Sequence, residues 1–262
     1  MIYSGTTDPK NESSVTGSNG VYMTGTGTQI GTSAFNSSYN KAEYVGYQYI
    51  EGQQHGYGKC DGTNNASCTV NGNTVYNSTI KQAIDKWYAG TTLKDNDLIS
   101  DQIFCNDRSA GSTQTAAWTS TGATYYYGAY GRLYKSKSPV LTCPTASDKF
   151  TVNTSNGNGA LTYPVGLITA DEVAMAGGKR GTSNSTYYLY TDQSYWPGSP
   201  YDFASGGLAY EFFVDSYGSL DYGGVRAASG ARPVVSLSSK AKLSGNGTYS
   251  KPYTVSWFGW LK

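Results

Sequence analysis

The stretch AYEFFVDSYGSLDY, residues 209–222, decides the fold class of this chain. Side chains alternate between two faces along 209–215, as they do in a β-strand. A tight turn at 216–218 leads into a second strand, which predicts an antiparallel hairpin. One set of alternating residues is wholly apolar, so we expect it to face the core while the other set faces solvent. The core set is Tyr210, Phe212 and Val214; the outward set is Glu211, Phe213 and Asp215, beside Asp221 and Tyr222 of the second strand.

Two segments outside the hairpin have the helical period. Apolar residues recur every three or four positions within 77–88, after a Ser-Thr pair that can supply the N-cap, and Gly90 terminates the segment. The second helix is expected at 169–176. There Thr169 at the N-cap and Glu172 three residues later form a capping box.

Short strands are expected at 43–50, 187–190 and 231–237, separated by turns rich in Gly, Pro and Ser. Two helices and several short antiparallel strands joined by long loops predict an α+β domain. Residues 1–40, rich in Gly, Ser, Thr and Asn, are expected to form an N-terminal arm or edge strands. The domain itself is expected at 41–262.

The composition excludes several classes of protein. Charged residues make up only 14% of the 262, the formal net charge is +1 and there is no run of five like charges, which argues against nucleic acid or an anionic membrane as partner. No stretch approaches the roughly 20 apolar residues that span a bilayer. The 25 tyrosines outnumber the 5 tryptophans and 7 phenylalanines together. This is typical of a β-rich, loop-rich surface protein and not of a helical cytosolic enzyme.

Four cysteines permit three pairings, between which sequence alone does not choose. We prefer Cys60–Cys68, which bracket a short polar loop, together with Cys105–Cys143. No zinc-type spacing occurs and His55 is the only histidine, so structural disulfides are favoured over a metal site. No signal peptide is visible, so the chain is either cytosolic or has lost a leader or anchor. The cysteines favour an oxidising, extracellular location.

Signals of catalysis are thin. The single His55 has no recognisable triad partners, and neither GxSxG nor GxGxxG occurs in its proper context. Asp95, Asn96 and Asp97 could touch a cation, but such a run is more often a solvated turn. We therefore predict no enzyme activity, no catalytic residue, no cofactor and no metal.

Several segments carry a family resemblance. They are ISDQIFCNDR (99–108), YGAYGRLY (127–134), Cys143-Pro144, 148–152, LTYPVGLITADEVAMAGG (161–178), YYLYTDQSYWPGSP (187–200), GARPVVSL (230–237), and the closing 245–248 and 251–253. Together they cover about 85–255. The chain resembles the C-type-lectin-fold domains related to formylglycine-generating enzyme. In particular, it is similar to the variable proteins of diversity-generating retroelements in gut bacteria and their phages.

The resemblance implies a C-type-lectin-like fold with a hypervariable ligand-binding region at about 195–231, ahead of a fixed strand that is Gly230-Ala231-Arg232-Pro233 here. Pro197-Gly198 departs from the family pattern. Oxidase relatives need a reactive cysteine pair late in the chain, and no cysteine follows Cys143. The tripeptides of calcium-dependent sugar binding are also missing.

The composition of 201–231 agrees with diversification. Adenine-directed mutagenesis of Asn codons cannot produce Lys, Glu, Gln, Met or Trp, and Glu211 is the one such residue in that range. The resulting mixture of Tyr, Asp, Ser, Gly and Arg is also that of antibody paratopes. The predicted ligand-binding residues are Tyr195, Trp196, Tyr201, Asp202, Phe203, Glu211, Phe213, Asp215, Tyr217, Asp221, Tyr222, Gly223, Arg226, Ala227 and Ser229. Arg232, by contrast, is expected to be structural.

The function expected is that of an extracellular binding protein on a bacterial cell or phage particle. Its partner would be a protein or glycan on another cell or phage host. Two alternatives stay open: a fixed-specificity adhesive or pilus-tip subunit of the same fold, and a formylglycine-generating-type oxidase. The sequence gives no indication of the oligomeric state.

Overall fold

The computed structural model describes residues 1–5, 15–16, 22–63, 65–246, 251 and 253–256. Its helices are α1 (Thr79–Ala89), α2 (Gly128–Tyr130), which continues as a π-helix over Gly131–Ser136, and α3 (Ala170–Ala176). Short 3-10 turns occur at Thr26–Thr28, Ala42–Val45, Thr92–Asp95 and Ala146–Asp148. Part of the closing motif, 247–248 and Pro252, lies outside the described residues.

Strands β1 to β17 in chain order are Val15–Thr16, Tyr22–Met23, Thr32–Ala34, Gln48–Tyr49, Ser67–Val70, Asn73–Asn77, Ile99–Ser100, Phe104–Cys105, Tyr125–Tyr126, Lys149–Phe150, Pro200–Ala204, Leu208–Val214, Leu220–Gly224, Ala228–Gly230, Ser236–Leu237, Lys242–Ser244 and Thr254–Ser256. Each pairing between these strands is antiparallel, and the helices are short. The predicted α+β class is therefore confirmed.

The largest sheet contains the predicted hairpin. Its strand order is β13-β12-β11-β9, and β12 and β13 pair with Phe212 opposite Tyr222. The turn between them is closed by hydrogen bonds between Asp215 and Ser219. The hairpin prediction is confirmed.

Core residues cover this sheet on both faces. One cluster, the first core, includes Phe35, Phe150 and Trp196. The other, the second core, includes Tyr195 and Phe212. A sheet buried on both sides has no face left to present entirely to solvent.

This double covering corrects the expected orientation of the outward set. Glu211 has no exposed surface, and Phe213 is half-buried against the first core. Tyr222 does not share their face, because it pairs with Phe212 and directly opposed residues lie on the same side of a sheet. The two faces of the strand alternate as predicted, but the polar residues Glu211 and Asp215 gave a covered face the pattern of an exposed one.

Both predicted helices are confirmed. Ser78 caps α1 and Gly90 follows it. Thr169 and Glu172 form the expected capping box on α3. The sequence did not indicate that Lys81 and Asp85, one turn apart on α1, are both buried and form an ion pair.

The expected strand at 187–190 is wrong, because these residues form a turn in which the Tyr190 amide donates to the Tyr187 carbonyl. At 43–50 only Gln48–Tyr49 is a strand, preceded by the 3-10 turn at 42–45. At 231–237 the strand is limited to Ser236–Leu237. Outside these two short strands, the buried tyrosines and valines of the three segments produced a strand-like pattern in residues that belong to no strand.

Both preferred disulfides are present, Cys60–Cys68 and Cys105–Cys143. Among the described residues no helix has the length and apolar character needed to cross a membrane.

Arg232 fastens the start of the chain to the domain. It is buried, and its guanidinium donates to the carbonyls of Tyr3 and Leu189 and to the Ser4 hydroxyl, at 2.8–3.1 Å. The guanidinium also lies over the Tyr195 ring, 4.6 Å from its centroid. These contacts support the structural role expected for Arg232.

Candidate ligand-binding surface

One face of the large sheet carries a row of aromatic side chains. Tyr126, Asp202 and Tyr210 lie opposite one another across β9, β11 and β12, and therefore on the same side. A register shift between Pro200 and Asp202 sets Tyr201 on this side as well, where its ring meets that of Phe212. The sheet thus builds an aromatic surface from three strands.

We call the following residues the tyrosine cluster: Tyr126, Tyr130, Tyr134, Tyr201, Tyr210 and Tyr222. Their rings touch in series. Tyr126 stacks on Tyr130 at 3.9 Å between centroids, and Tyr201 stacks on Tyr222 at 4.2 Å. Tyr130 contacts Tyr134 and Tyr201, and Tyr210 meets Tyr222 edge-on. Such rigid, amphipathic rings offer a large contact area at low entropic cost.

The cluster is partly open to solvent. Tyr222 is 40% exposed, and Tyr126, Tyr130, Tyr134 and Tyr210 are half-buried. Ordered contacts hold these rings in place while leaving part of their surface free. A surface of this kind is suited to binding, because little conformational freedom remains to be lost.

Arg180 extends the cluster with a positive charge. Its guanidinium lies over the Tyr134 ring, 3.5 Å from the centroid. Its backbone is bridged to Leu220 at the start of β13. The aromatic surface therefore ends in a cation whose main chain is fixed.

Two buried carboxyls lie on β11 and β12. One oxygen of Asp202, on the cluster face, has no hydrogen-bond partner among the described residues, and burial raises its pKa to about 7. Both oxygens of Glu211, on the opposite face, are likewise unpartnered, and burial raises its pKa well above the usual range. Removing a carboxylate from water without compensating donors favours its protonated form.

The two ends of the hairpin differ from the cluster. At the turn, Tyr217 is 69% exposed, while the Asp215 carboxylate accepts from the amides of Tyr217 and Ser219. At the other end, Arg226 and Ala227 are exposed, and Arg226 lies over the Tyr39 ring at 4.3 Å. The Asp215 carboxylate therefore stabilises the turn, and the side chain that the turn leaves free to contact a ligand is that of Tyr217.

The structure divides the predicted site residues into three groups. Tyr217, Tyr222, Arg226 and Ala227 are exposed, as expected. Phe213, Asp215, Asp221 and Gly223 are half-buried. Tyr195, Trp196, Tyr201, Asp202, Phe203, Glu211 and Ser229 are buried, which contradicts the surface position expected of them.

The buried group has a common cause. Residue 195 is bridged to Val214 on one side and to Gly230 on the other, so the Tyr-Trp segment runs through the interior. Trp196 donates its indole N–H to the Ser33 carbonyl and packs against Phe213. The surrounding sequence is polar and rich in tyrosine, so it gave no indication that Tyr195 and Trp196 are core residues.

Four members of the cluster were missed from sequence, namely Tyr126, Tyr130, Tyr134 and Tyr210, the last of which was expected in the core; Arg180 was missed as well. The first three recur at i, i+4 and i+8, the spacing that brings side chains to one face of a helix, although Tyr126 itself lies in β9. That signal was present in the sequence. The sequence did not show that this helical turn lies beside β11, because that contact depends on the pairing of β9 with β11.

Comparison with known proteins adds no relative to this geometry. No protein-family model, no curated protein and no solved structure matches the chain significantly.

Proposed function

We propose that the chain is an extracellular ligand-binding module with a C-type-lectin-like fold, not an enzyme, and that the tyrosine cluster is its main contact surface. The observation that carries the proposal is the cluster itself: stacked, ordered rings with exposed faces that end in a cation. Tyr and Arg are the residues that most often dominate binding energy at interfaces. The two disulfides support an oxidising, extracellular location.

The partner in this proposal is a protein or glycan displayed on another cell or a phage host. The low net charge gives no support to nucleic acid as a ligand. Tyrosine hydroxyls can bond to polar groups while the rings cover apolar ones, so the surface suits either kind of partner.

We further propose that any diversification by a retroelement is confined to the exposed positions of 195–231. Among the predicted site residues these are Tyr217, Tyr222, Arg226 and Ala227, with the half-buried Asp221 beside them. A neighbouring reverse transcriptase gene, with a template repeat matching the codons of this region, would establish diversification.

A fixed-specificity adhesive of the same fold is the second candidate. One observation favours it: Glu211 and Ser229 are interior, and Gly223 packs against Trp196. A region with so many packed positions can vary only in part. The absence of a matching template repeat would favour this candidate.

The test is binding of the purified chain to a glycan array and to a panel of cell-surface proteins. Tyr222→Ala should weaken binding by about 2 kcal/mol or more, because it removes a central ring of the cluster. Tyr188→Ala is the matched control, since Tyr188 is 63% exposed and outside the cluster. Equal effects of the two variants on an identified ligand would contradict the assignment of the cluster.

A further inference from the structure

A cavity of about 580 Å³ opens beside the tyrosine cluster. Its walls come from the end of the π-helix, from α3 and from residues 178–182. Leu133, Phe212 and Leu220 supply apolar surface, and Tyr134 belongs to both the cavity and the cluster. The volume lies in the range of sites for small molecules or for a single unit of a larger ligand.

The charged side chains that line this cavity are all positive. Lys137, Lys179 and Arg180 line it, and no carboxylate is among its described lining residues. None of these three cations forms an ion pair within the described part of the chain. An apolar hollow bordered by uncompensated cations attracts an anion with an apolar body.

The donors are also held in position. Leu220 donates its amide to the Lys179 carbonyl at 3.0 Å, and Arg180 is bridged to the same residue. A guanidinium stacked on a ring keeps its edge free to bind a carboxylate through two parallel hydrogen bonds.

We propose that this cavity binds the carboxylate of an acidic sugar at the end of a glycan. The inference rests on the proposed ligand-binding function and names its substrate class. A compact ring fits the cavity, and the next sugar would reach the tyrosine cluster through Tyr134. An extended acidic peptide is disfavoured because residues 179–180 already occupy the edge of β13 at Leu220, where such a peptide would add as a strand.

Calorimetric titration tests the proposal with three glycan probes. One ends in N-acetylneuraminic acid, one in glucuronic acid, and the third is the neutral desialylated form of the first. We expect binding of both acidic probes, weakening as salt rises, and at least tenfold weaker binding of the neutral probe. Lys179→Gln and Arg180→Gln should each weaken acidic binding roughly tenfold, and Arg180→Lys should lose less.

Lys86→Gln combined with Lys240→Gln is the matched control, because both lysines are exposed and neither lines the cavity. Melting curves of every variant will separate lost binding from lost folding. A ligand that depends on Tyr222 but ignores the cavity variants would overturn this inference and leave the proposed function intact. So would a preference for acidic peptides over acidic sugars. Failure of the chain to bind any glycan or protein on the panel would overturn both.

Discussion

Arg108 and Asp148 form a completely buried ion pair, although they stand 40 residues apart in the chain. The guanidinium donates to one carboxylate oxygen at 2.9 Å and 3.0 Å, and the Arg108 amide donates to the other oxygen at 2.8 Å. His55 approaches the same carboxylate at 3.1 Å. Burial opposes ionisation of Asp148, but the Arg108 guanidinium, His55 and the Arg108 amide together outweigh it and hold the pKa of the carboxyl below its usual value.

Removing one partner of this pair should be severe. Asp148→Asn leaves the Arg108 charge buried and uncompensated, so we expect a loss of about 3–5 kcal/mol in the free energy of unfolding. Denaturant titration measures it. Glu51→Gln, in the exposed Lys41–Glu51 pair, is the control and should cost less than about 1 kcal/mol. A loss from Asp148→Asn no larger than the control's would show that the buried pair does not anchor these segments.

The Cys105–Cys143 disulfide should contribute more stability than Cys60–Cys68. It closes a loop of 38 residues and the other closes one of 8. The chain-entropy relation gives on the order of 4 kcal/mol for the longer loop and about 2.5 kcal/mol for the shorter. Paired Cys→Ser variants, compared by thermal unfolding, measure the difference. Mass spectrometry of unreduced peptides should recover both pairs, and free thiols would argue against an extracellular location.

Stability should fall as the pH rises from about 4 to about 7. Burial raises the pKa of Asp202 from 3.8 to about 7, so the folded state keeps the proton while the unfolded state releases it. The resulting stabilisation is complete below the unfolded pKa and is lost as the pH approaches the folded one. Burial also raises the pKa of Glu211, which adds a loss of the same sign.

Asp202→Asn should remove the part of this pH dependence that Asp202 causes. At pH 8 the variant should unfold with a free energy about 1–3 kcal/mol higher than the wild type, because no buried charge remains. Below pH 4 the two proteins should differ little. Denaturant unfolding of both proteins between pH 4 and pH 8 measures this difference. If the free energies of unfolding of the two proteins changed with pH in parallel, Asp202 would not be the cause of the pH dependence.

Tolerance to substitution should divide the hairpin region in two. Changes at Arg226 and Ala227 should rarely exceed about 0.5 kcal/mol in stability, because these side chains are exposed. Changes at Tyr222 should cost about 0.5–1.5 kcal/mol, because its partly exposed ring stacks on Tyr201. At Gly223 an added Cβ would lie 3.2 Å from the Trp196 ring, and the Ser229 side chain is buried. Variants of these two positions should be destabilised.

A randomised library checked by protease resistance measures this division. A library varied at the three exposed positions should remain mostly folded. A second library varied at Gly223 and Ser229 should be depleted of folded members. Similar folded fractions in both libraries would mean that packing at Trp196 does not constrain the region.

The parts of the fold that could be read from sequence were the local ones. The capping box at Thr169–Glu172, the cap at Ser78 and the turn after Asp215 depend on neighbouring residues, and all three are present. The disulfide pairing could be chosen because one cysteine pair brackets a short loop.

What the sequence did not reveal depends on long-range packing. The alternation over 209–215 located the strand but did not show that both of its faces are covered, and so Glu211 was placed in solvent. The candidate surface shifted for the same reason. Tyr201 and Tyr222 were expected there, whereas Tyr126 and Tyr130 join them through the pairing of β9 with β11.

The covering of β12 on both faces limits how this protein could acquire a new specificity. A strand that packs against core residues on both faces cannot be substituted along its whole length, because most substitutions would destabilise the fold. Within the hairpin region, substitutions that change ligand preference are tolerated at the turn at Tyr217, at the bend at Arg226 and at Tyr222 in the tyrosine cluster. Natural variation among relatives should therefore appear as separated single positions, each free to drift, within a segment otherwise held constant by its own interior.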